Sequence, residues 1–268
     1  MVKFKCKITD LEDICSLVAM KGKSIDGHPY RAILDCVFNI VGDKLKIGAL
    51  DLQRTFAVSV EYPVEILEEG QIPIVDIENF EKFLSRFNSS DEVEISTVEN
   101  RVVIKRESPK KTAKFPLAAY DSIGSKDAPV LEKISWKDEY PSLGDKTLFD
   151  TVITVNAEQI ADIYKDGDVI NQRMIPFTLT GQTISVSVKD DTLGEFETEV
   201  IPKKVDTISK KELSTSAMYG NGFDNIFSSL SGEVKIYAIN NTKTFPLIVT
   251  KTTDRYNVLT ILAPYAQS

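Results

Sequence analysis

The chain has 268 residues, of which 42% are hydrophobic and 27% are charged, and its formal net charge is −8. A chain of this composition is long enough to bury the core of one large domain or of two ordinary ones. The negative charge argues against a protein that coats nucleic acid non-specifically, although it allows DNA contact through a locally basic surface. No apolar run reaches the roughly 18 residues of a membrane span, and the N-terminus lacks the apolar core of a signal peptide. We therefore expect an intracellular protein that is neither secreted nor embedded in a membrane.

Residue types that usually carry catalysis or bind metals are scarce. The three cysteines, Cys6, Cys15 and Cys36, form no CxxC pair, and the only histidine, His28, lies in a Gly-His-Pro turn. Structural zinc needs four ligands, usually in close pairs, so buried thiols and the absence of any metal or other cofactor are expected. The phosphate-binding patterns GxGxxG and GxxxxGK are missing. The sequence therefore predicts a protein that is not an enzyme.

The first part of the chain predicts strands interrupted by two helices. Residues 2–9 alternate apolar side chains with lysines, as a half-buried strand does. Asp10 fits the N-cap of a first helix, with helical spacing that extends toward Lys21 and an end at Gly22. Residues 76–89 predict a second, amphipathic helix. Further strands are predicted at 31–41, 44–48, 55–62, 72–75, 93–97, 101–106 and 112–117.

Residues 119–147 differ in composition from the segments on either side. They mix Gly, Pro, Ser and Asp and contain the only tryptophan, Trp136. We interpret them as a connector between an N-terminal domain, residues 1–118, and a C-terminal domain, residues 148–268. The connector is more apolar than a flexible linker needs to be. Its apolar side chains either pack on the nearest sheet or dock a partner.

The remaining part of the chain again predicts a strand followed by a helix. The strand covers residues 149–155 and the helix 156–169, and residues 202–211 are interpreted as a basic, polar loop. A final helix at 223–230 precedes three strands joined by polar turns and a small apolar tail. Strands are also predicted at 175–180, 183–189 and 194–201.

The two halves repeat one order of elements, namely strand, helix, strands, helix, strands. Residues 80–83, followed by 91–95, correspond to residues 223–226, followed by 232–236. Chance similarity between two β-rich halves is the alternative, but duplication of an α+β unit explains the order better. Two helices cover only one face of such sheets, and open sheet edges favour pairing with another chain in a closed, symmetric assembly.

These features together resemble a sliding clamp of the proliferating cell nuclear antigen (PCNA) type. Residues Gly48–Thr55 are similar to the strand and loop beside the partner pocket of that family. Residues Thr244–Val249 are similar to its penultimate strand region, and Leu262-Ala263-Pro264 to its C-terminal Leu-Ala-Pro. The order and spacing of these matches along nearly the whole chain carry the resemblance.

The resemblance implies an α+β DNA clamp fold with two repeated domains, each with two helices packed on antiparallel sheets. Three subunits would form a six-domain ring around double-stranded DNA, which it would bind without sequence specificity. The implied function is that of a processivity factor in DNA replication and repair, with a DNA polymerase and a clamp loader as partners. Ligase and nuclease would bind through short peptide motifs. The alternatives are one subunit of a heterotrimeric clamp and a monomeric processivity factor that does not encircle DNA.

The resemblance also implies three groups of site residues. Basic side chains in the hole would contact DNA phosphates without reading bases; the candidates are Lys21, Lys23, Lys82, Arg86, Lys165 and Arg173. Edge strands would pair between subunits through Thr112, Lys114, Phe115 and Leu117 on one strand and Glu195, Phe196, Thr198 and Val200 on the other. An apolar partner-peptide pocket under the connector would be lined by Leu50, Arg54, Thr55, Ala57, Val130, Leu131, Pro246, Ile261, Leu262, Ala263 and Pro264.

Some residues depart from the pattern of the family. The first helix carries Glu12 and Asp13 where such clamps often have lysine, and the last helix has no basic residue. Contact with DNA is therefore expected to be weaker or unevenly distributed around the hole. Arg54 is polar in a pocket that should be mostly apolar, so the preferred peptide should differ from the usual motif of the family.

Overall fold

The structure, a computed structural model, describes residues 1–23, 29–31, 33–51, 53–124, 128–144, 147–169, 174–190, 192–209, 212–220, 222–240, 242 and 244–264. The chain forms two compact units. Unit 1 consists of residues 1–20, 31–128 and 252–258, and unit 2 of residues 21–30, 129–251 and 259–268.

Strands dominate both units, and the helices are few. The helices are α1 (Ile8–Ala19), α2 (Ile77–Leu84), α3 (Pro129–Glu132), α4 (Ala157–Val169) and α5 (Gly222–Ser229). The strands are β1 (Lys3–Lys7), β2 (Lys21–Lys23), β3 (Pro29–Arg31), β4 (Cys36–Val41), β5 (Lys44–Leu50), β6 (Phe56–Pro63), β7 (Glu65–Glu68), β8 (Gly70–Ile74), β9 (Glu92–Val98), β10 (Arg101–Arg106), β11 (Lys111–Pro116), β12 (Ile134–Lys137), β13 (Tyr140–Leu143), β14 (Thr147–Leu148), β15 (Thr151–Asn156), β16 (Ile175–Thr180), β17 (Thr183–Asp190), β18 (Gly194–Val200), β19 (Lys204–Thr207), β20 (Ser214–Tyr219), β21 (Glu233–Ala238), β22 (Leu247–Thr252) and β23 (Asn257–Leu262).

Unit 1 contains two groups of antiparallel strands, in the orders β11-β10-β9-β1-β7 and β6-β5-β4-β8. The amphipathic face of α2 packs on them. Its Phe80 meets Phe38 of β4 edge to face at 5.9 Å between ring centroids, and Phe115 of β11 at 5.4 Å. Burying one such ring contributes roughly 1.5–3 kcal/mol, so this cluster anchors the helix to the strands.

Unit 2 contains the strand orders β19-β15-β21-β22-β23 and β18-β17-β16-β20, together with α4 and α5. Its core is also aromatic. The rings of Tyr219 and Phe223 stack at 5.8 Å, and those of Phe223 and Phe227 lie 4.7 Å apart. The buried hydroxyl of Tyr219 donates a hydrogen bond to the carbonyl of Phe245 at 2.9 Å, which satisfies the one polar group in the cluster.

The predicted duplication is confirmed. In unit 1, β1 leads into α1 and α2 is followed by β9, β10 and β11, while in unit 2, β15 leads into α4 and α5 is followed by β21, β22 and β23. Within the described residues, and apart from the four-residue α3, each unit has two α-helices on antiparallel strands, as expected for the α+β clamp fold. Among the described residues, no helix is both long and apolar enough to cross a membrane.

The predicted bounds of the first helix are wrong at both ends. Helix α1 begins at Ile8, and its N-cap residue, Lys7, makes no side-chain capping bond. The amides of Ile8 and Thr9 instead donate to the backbone carbonyls of Asp91 and Ser89, each at 3.0 Å. A distant loop therefore replaces the local cap expected at Asp10. At the other end, Met20 adopts a left-handed φ of 45°, which ends the helix before Gly22.

Three further predictions differ from the structure, and in the first two strand partners override local sequence. Residues 202–211 were expected to be a loop, but β19 pairs with β15, with Lys204 opposite Thr154. The connector, which lacks strand periodicity, nevertheless contains the small sheet β12-β13-β14. The continuous strand expected at 31–41 is instead divided into β3 and β4. Cross-strand packing decides such segments more than intrinsic preference does.

Candidate functional site

The candidate DNA-facing residues near the end of α1 do not lie on that helix. Lys21 and Lys23 belong to the short strand β2, which follows the left-handed Met20. The extension of helical spacing toward Lys21 is therefore wrong. Their proposed contact with DNA phosphates stays a prediction.

Helix α2 presents a basic end. The Asp76 carboxylate caps its N-terminus by accepting the amide of Asn79 at 2.8 Å. Lys82 is exposed and pairs with Glu78 one turn earlier at 2.9 Å. Arg86 is exposed just beyond the helix, and its backbone carbonyl accepts a hydrogen bond from the ammonium group of Lys111.

Lys111 is a basic neighbour of this site that sequence reasoning missed. Its ammonium lies 4.9 Å above the ring of Phe87, a cation–π geometry, and thus close to Arg86. The only signal in the sequence is the lysine pair at 110 and 111, and the hairpin between β10 and β11 is needed to bring it beside α2. Lys82, Arg86 and Lys111 together form a small basic surface on unit 1.

Helix α4 contributes one described candidate, because Arg173 lies outside the described residues. Lys165 is exposed and forms an ion pair with Asp162 one turn earlier. At the start of the helix, the Glu158 carboxylate accepts the amide of Gly232 at 2.7 Å, and this backbone hydrogen bond lowers its pKa. Helix α5 has no basic residue between its ends, so the basic groups are unevenly distributed over the four longer helices.

The pocket candidates of unit 1 surround a turn that is held by a buried carboxylate. Leu50 ends β5, Arg54 and Thr55 are exposed, and Ala57 is fully buried in β6. The Asp51 carboxylate accepts the amide of Phe56 at 2.8 Å and that of Gln53 at 3.1 Å. It also accepts the hydroxyl of Thr55 at 2.9 Å. Because Asp51 ties the turn at these points, Arg54 is held in its left-handed conformation, with a φ of 56°.

The pocket candidates of unit 2 divide into buried and accessible ones. Ile261 and Leu262 belong to β23 and are only 4% and 1% exposed, so both are core residues of the folded chain. The accessible candidates are Val130 and Leu131 of α3, Pro246, Ala263 and Pro264.

The interface candidates lie on two edge strands. Among the described strands, β11 is hydrogen-bonded only to β10 and β18 only to β17. Thr112, Lys114 and Phe115 are on β11, and Leu117 follows it. Glu195, Phe196, Thr198 and Val200 are on β18. Each strand therefore has one edge of backbone groups that a further strand could use.

A cleft in unit 1 contains none of the predicted site residues. Its volume is about 680 Å³, and it is lined by side chains of both charges, including Lys5, Lys105 and Glu92, next to Cys6. Burial raises the pKa of the Cys6 thiol, and that of the Cys36 thiol as well. Both thiols are therefore poor nucleophiles. Within the described residues, no group of three or more His, Cys, Asp or Glu side chains is placed to hold a metal ion.

Sequence comparison gives no match to a family model or to a curated protein. Comparison of structures does give matches over the full length of the chain. The PCNA of Entamoeba histolytica superimposes with a TM-score of 0.73 at 13% identity, with 99% of each chain covered. PCNA from A. fulgidus, in a complex with the C-terminal region of FEN-1, gives 0.72 at 14% identity, with 100% of each chain covered.

The PCNA of Thermococcus kodakaraensis gives a TM-score of 0.71 at 17% identity, over 99% of this chain and 100% of that chain. At sequence identities this low, the structural matches establish the fold alone. Their coverage shows that the similarity extends over both units and the connector. The chain has the fold of proliferating cell nuclear antigen, the DNA sliding clamp fold that its sequence resembles.

Proposed function

We propose that the chain is a sliding clamp, which encircles duplex DNA as a closed homotrimeric ring and acts as a processivity factor for a DNA polymerase in replication and repair. Its domains would be residues 1–118 and 148–268, joined by the connector 119–147. The observation that carries the proposal is the clamp fold along the whole chain. In this function the protein is a scaffold without catalytic activity, located in the cell with DNA.

The mechanism follows from topology. A closed ring leaves duplex DNA only when it opens or reaches an end, so weak phosphate contacts suffice. Strong contacts would slow sliding. The basic surface of Lys82, Arg86 and Lys111 is small, and Lys82 is already paired with Glu78. Such a surface fits weak, salt-sensitive contact without base recognition.

A retention experiment tests encirclement directly. The protein is placed on nicked circular DNA by a clamp loader, and the DNA is then cut once by a restriction enzyme. A ring should remain on the circle and be lost from the linear product, and blocking both ends should restore retention. A factor that binds DNA without encircling it would be retained equally on both forms. That result would overturn the proposal and favour the monomeric alternative.

Partner binding is proposed to use the accessible pocket residues. The complex of A. fulgidus PCNA with the C-terminal region of FEN-1 suggests a short peptide as the ligand. Aromatic anchors in an apolar pocket supply much of the energy of small interfaces. We expect Leu131→Glu and Pro264→Glu to weaken binding of such a peptide by at least about tenfold, or about 1.4 kcal/mol.

The choice of variants follows from how far each side chain is exposed to solvent. Leu262 is only 1% exposed, so a charged residue at this position would unfold the protein. Such a variant could not test peptide binding. The matched control is Val41→Glu, at an apolar position that is 53% exposed on β4 and outside the proposed pocket. Isothermal titration with a peptide that contains a glutamine, an aliphatic residue and paired aromatics gives the affinity. Unchanged affinity in both pocket variants would show that the pocket is elsewhere.

A further inference from the structure

The cleft of unit 1 lies where two neighbouring strands stop pairing. Strand β1 continues to Lys7, but its pairing with β7 ends at Lys5. The corner between β6 and β7 is at Val64, whose amide donates to the carbonyl of Asp43 at 3.1 Å. The end of β1, this corner and parts of β9 and β10 line the cleft, whose volume is about 680 Å³. Volumes of roughly 300–1,000 Å³ are typical of ligand sites in proteins.

Carboxylates outnumber ammonium groups in the lining of this cleft. The lining contains three lysines and six acidic residues, namely Asp10, Asp43, Glu65, Glu92, Glu94 and Glu107. The pKa of Lys5 is raised, first by its hydrogen bond to Glu65 and also by the nearby charges of Glu94 and Glu92. Neighbouring carboxylates raise the pKa of a lysine because they favour its positive charge. The cleft therefore favours a cationic ligand.

Half of these carboxylates already bind a cation of the chain itself. Glu65 pairs with Lys5 at 2.8 Å, and Glu94 pairs with Lys3 at 2.7 Å. Asp10 is the third and is paired with an arginine. The other three are exposed and form no ion pair with a described residue; they are Asp43, Glu92 and Glu107. These three carboxylates can accept hydrogen bonds from a further cation.

The arginine bound to Asp10 shows which kind of cation the rim of the cleft accepts. The Arg255 guanidinium donates to the Asp10 carboxylate at 2.5 Å and lies 3.0 Å from the carboxylate of Asp13. It also donates to the hydroxyl of Tyr62 at 3.2 Å. All of these residues belong to unit 1. Planar guanidinium groups suit such sets of oxygen acceptors, so a basic side chain matches the chemistry of this rim.

Apolar groups lie between the charges of the lining. Val93 is only 2% exposed, and Cys6 and Val64 are half-buried. Lysine and arginine side chains place their aliphatic stems along such groups and keep the charged end among polar ones. Within the described residues, no cluster of His, Cys, Asp or Glu is placed to hold a metal ion. The lining therefore fits an organic cation with an aliphatic stem.

The remaining two lysines favour a peptide over a polyamine. Lys7 lies opposite Glu92 on β9, and Lys105 lies opposite Glu94. Neither lysine forms an ion pair with a described residue. A polyamine carries donors only, so it would leave both ammonium groups facing like charge. A peptide also carries carbonyl oxygens, which accept hydrogen bonds from ammonium groups.

We propose that this cleft binds a short peptide segment of a partner protein through an arginine or lysine, which lies over Cys6 and Val64 and reaches the unpaired carboxylates Glu92 and Glu107. Lys7 and Lys105 would donate to the carbonyl groups of the same segment. None of the lining residues belongs to the proposed DNA-facing, subunit-interface or partner-pocket sets. The site is therefore a second docking surface, and it does not rest on the proposed ring.

Two labelled peptides test the proposal on the full chain. The probe is acetyl-Ala-Val-Arg-Val-Ala-amide with a fluorophore, and the matched peptide has glutamate in place of arginine. Neither contains an aromatic residue, so neither offers the anchors that the proposed partner pocket would take. Fluorescence anisotropy at about 0.05 M salt should show at least about tenfold tighter binding of the arginine peptide. The difference should shrink at about 0.5 M salt, because screening weakens exposed charge pairs.

Variants of the two unpaired glutamates locate the site. Glu92→Gln with Glu107→Gln should weaken binding of the arginine peptide about tenfold, because two acceptors lose their charge. Glu99→Gln, at an exposed position in the turn between β9 and β10, is the matched control and should change nothing. Leu131→Glu, in the proposed partner pocket, should also change nothing. Glu92→Lys with Glu107→Lys should reverse the preference toward the glutamate peptide, and circular dichroism confirms that this variant is folded.

Each outcome supports or overturns the proposal. Equal affinity of wild type for both peptides would overturn it. Preference for arginine that survives in the folded double glutamine variant would also overturn it, since the peptide would then bind elsewhere. Spermidine that binds more tightly than the arginine peptide and displaces it would replace the peptide by a small organic cation. Loss of the protein from circular DNA, with peptide binding intact, would overturn the ring and leave this site standing.

Discussion

Asp51 and Phe56 are joined by two hydrogen bonds: the Phe56 amide donates to the Asp51 carboxylate at 2.8 Å, and the Asp51 amide donates to the Phe56 carbonyl at 3.1 Å. Together these bonds close the turn between β5 and β6 and fix the position of Arg54. Asp51, which anchors the turn, is only 7% exposed, and both oxygens of its carboxylate accept hydrogen bonds.

Replacing Asp51 should loosen this turn. Asp51→Ala leaves the amide of Phe56 and two further donors without their acceptor, so the free energy of unfolding should fall by about 2–3 kcal/mol. Asp51→Asn keeps one acceptor oxygen and should cost less. Urea unfolding at pH 7 measures both, with Asp43→Ala, an exposed turn carboxylate, as the control. A stability equal to wild type in Asp51→Ala would show that water satisfies the turn.

The Asp91 side chain predicts a loss of stability in acid. Burial alone would raise its pKa, but the amide of Asn88 and the guanidinium of Arg106 outweigh burial and lower it. A lowered pKa contributes stability that is present above the ordinary value near 4 and is lost as the pH falls through the lower, folded value. Asp91→Asn should therefore be less stable than wild type at pH 7, and the difference should shrink below about pH 4. A difference independent of pH would contradict this.

Tyr62 predicts a loss of stability in alkali. Burial and the neighbouring Asp10 raise its pKa to about 12. A raised pKa contributes stability that is present in full below the ordinary value near 10 and is lost as the pH rises through about 12. The unfolding free energy should fall over this interval, and Tyr62→Phe should make the fall shallower without abolishing it. The pKa values of Tyr219 and Tyr237 are also raised by burial, so part of the fall should remain.

Trp136 should report the attachment of the connector sheet to unit 2. Its ring is 47% exposed, yet it meets Tyr237 of β21 edge to face at 5.4 Å. Trp136→Ala should lower the free energy of unfolding by about 1 kcal/mol, because it removes an aromatic pair and some packing. Tyr237→Phe keeps the ring and serves as the control. Since Trp136 is the only tryptophan, its emission should shift in the same urea range in which unit 2 unfolds.

Much of the fold could be predicted from the sequence, because local patterns and long-range packing agree over most of the chain. Helix α4, predicted at 156–169, differs from the observed helix by a single residue. The repeated order of strands and helices, and with it the clamp fold, also follows from the pattern. The agreement ends where a distant partner decides the structure. The start of α1 depends on carbonyls of residues 89 and 91, and β19 exists because β15 lies beside it.

The candidate site was harder to predict, for related reasons. Burial separates the accessible Pro264 from the core residue Leu262, although the two are only two residues apart in the sequence. Neither the basic neighbour Lys111 nor the anchoring role of Asp51 follows from residue type alone, since both depend on tertiary contacts. The alternation of exposed and less exposed residues along the edge strand β18, by contrast, is visible directly in the sequence.

The turn between β22 and β23 has a consequence for biosynthesis. Residues 252–258 belong to unit 1, where Arg255 contacts the hydroxyl of Tyr62 at 3.2 Å and the carboxylate of Asp13 at 3.0 Å. Asp13 and Tyr62 are synthesised early in translation, whereas Arg255 is synthesised near its end. Unit 1 therefore cannot be completed before residues 252–258 have been synthesised. A fragment that ends at the connector would lack these residues of unit 1. The contacts that Arg255 makes in unit 1 can thus form only after nearly the entire polypeptide has been synthesised.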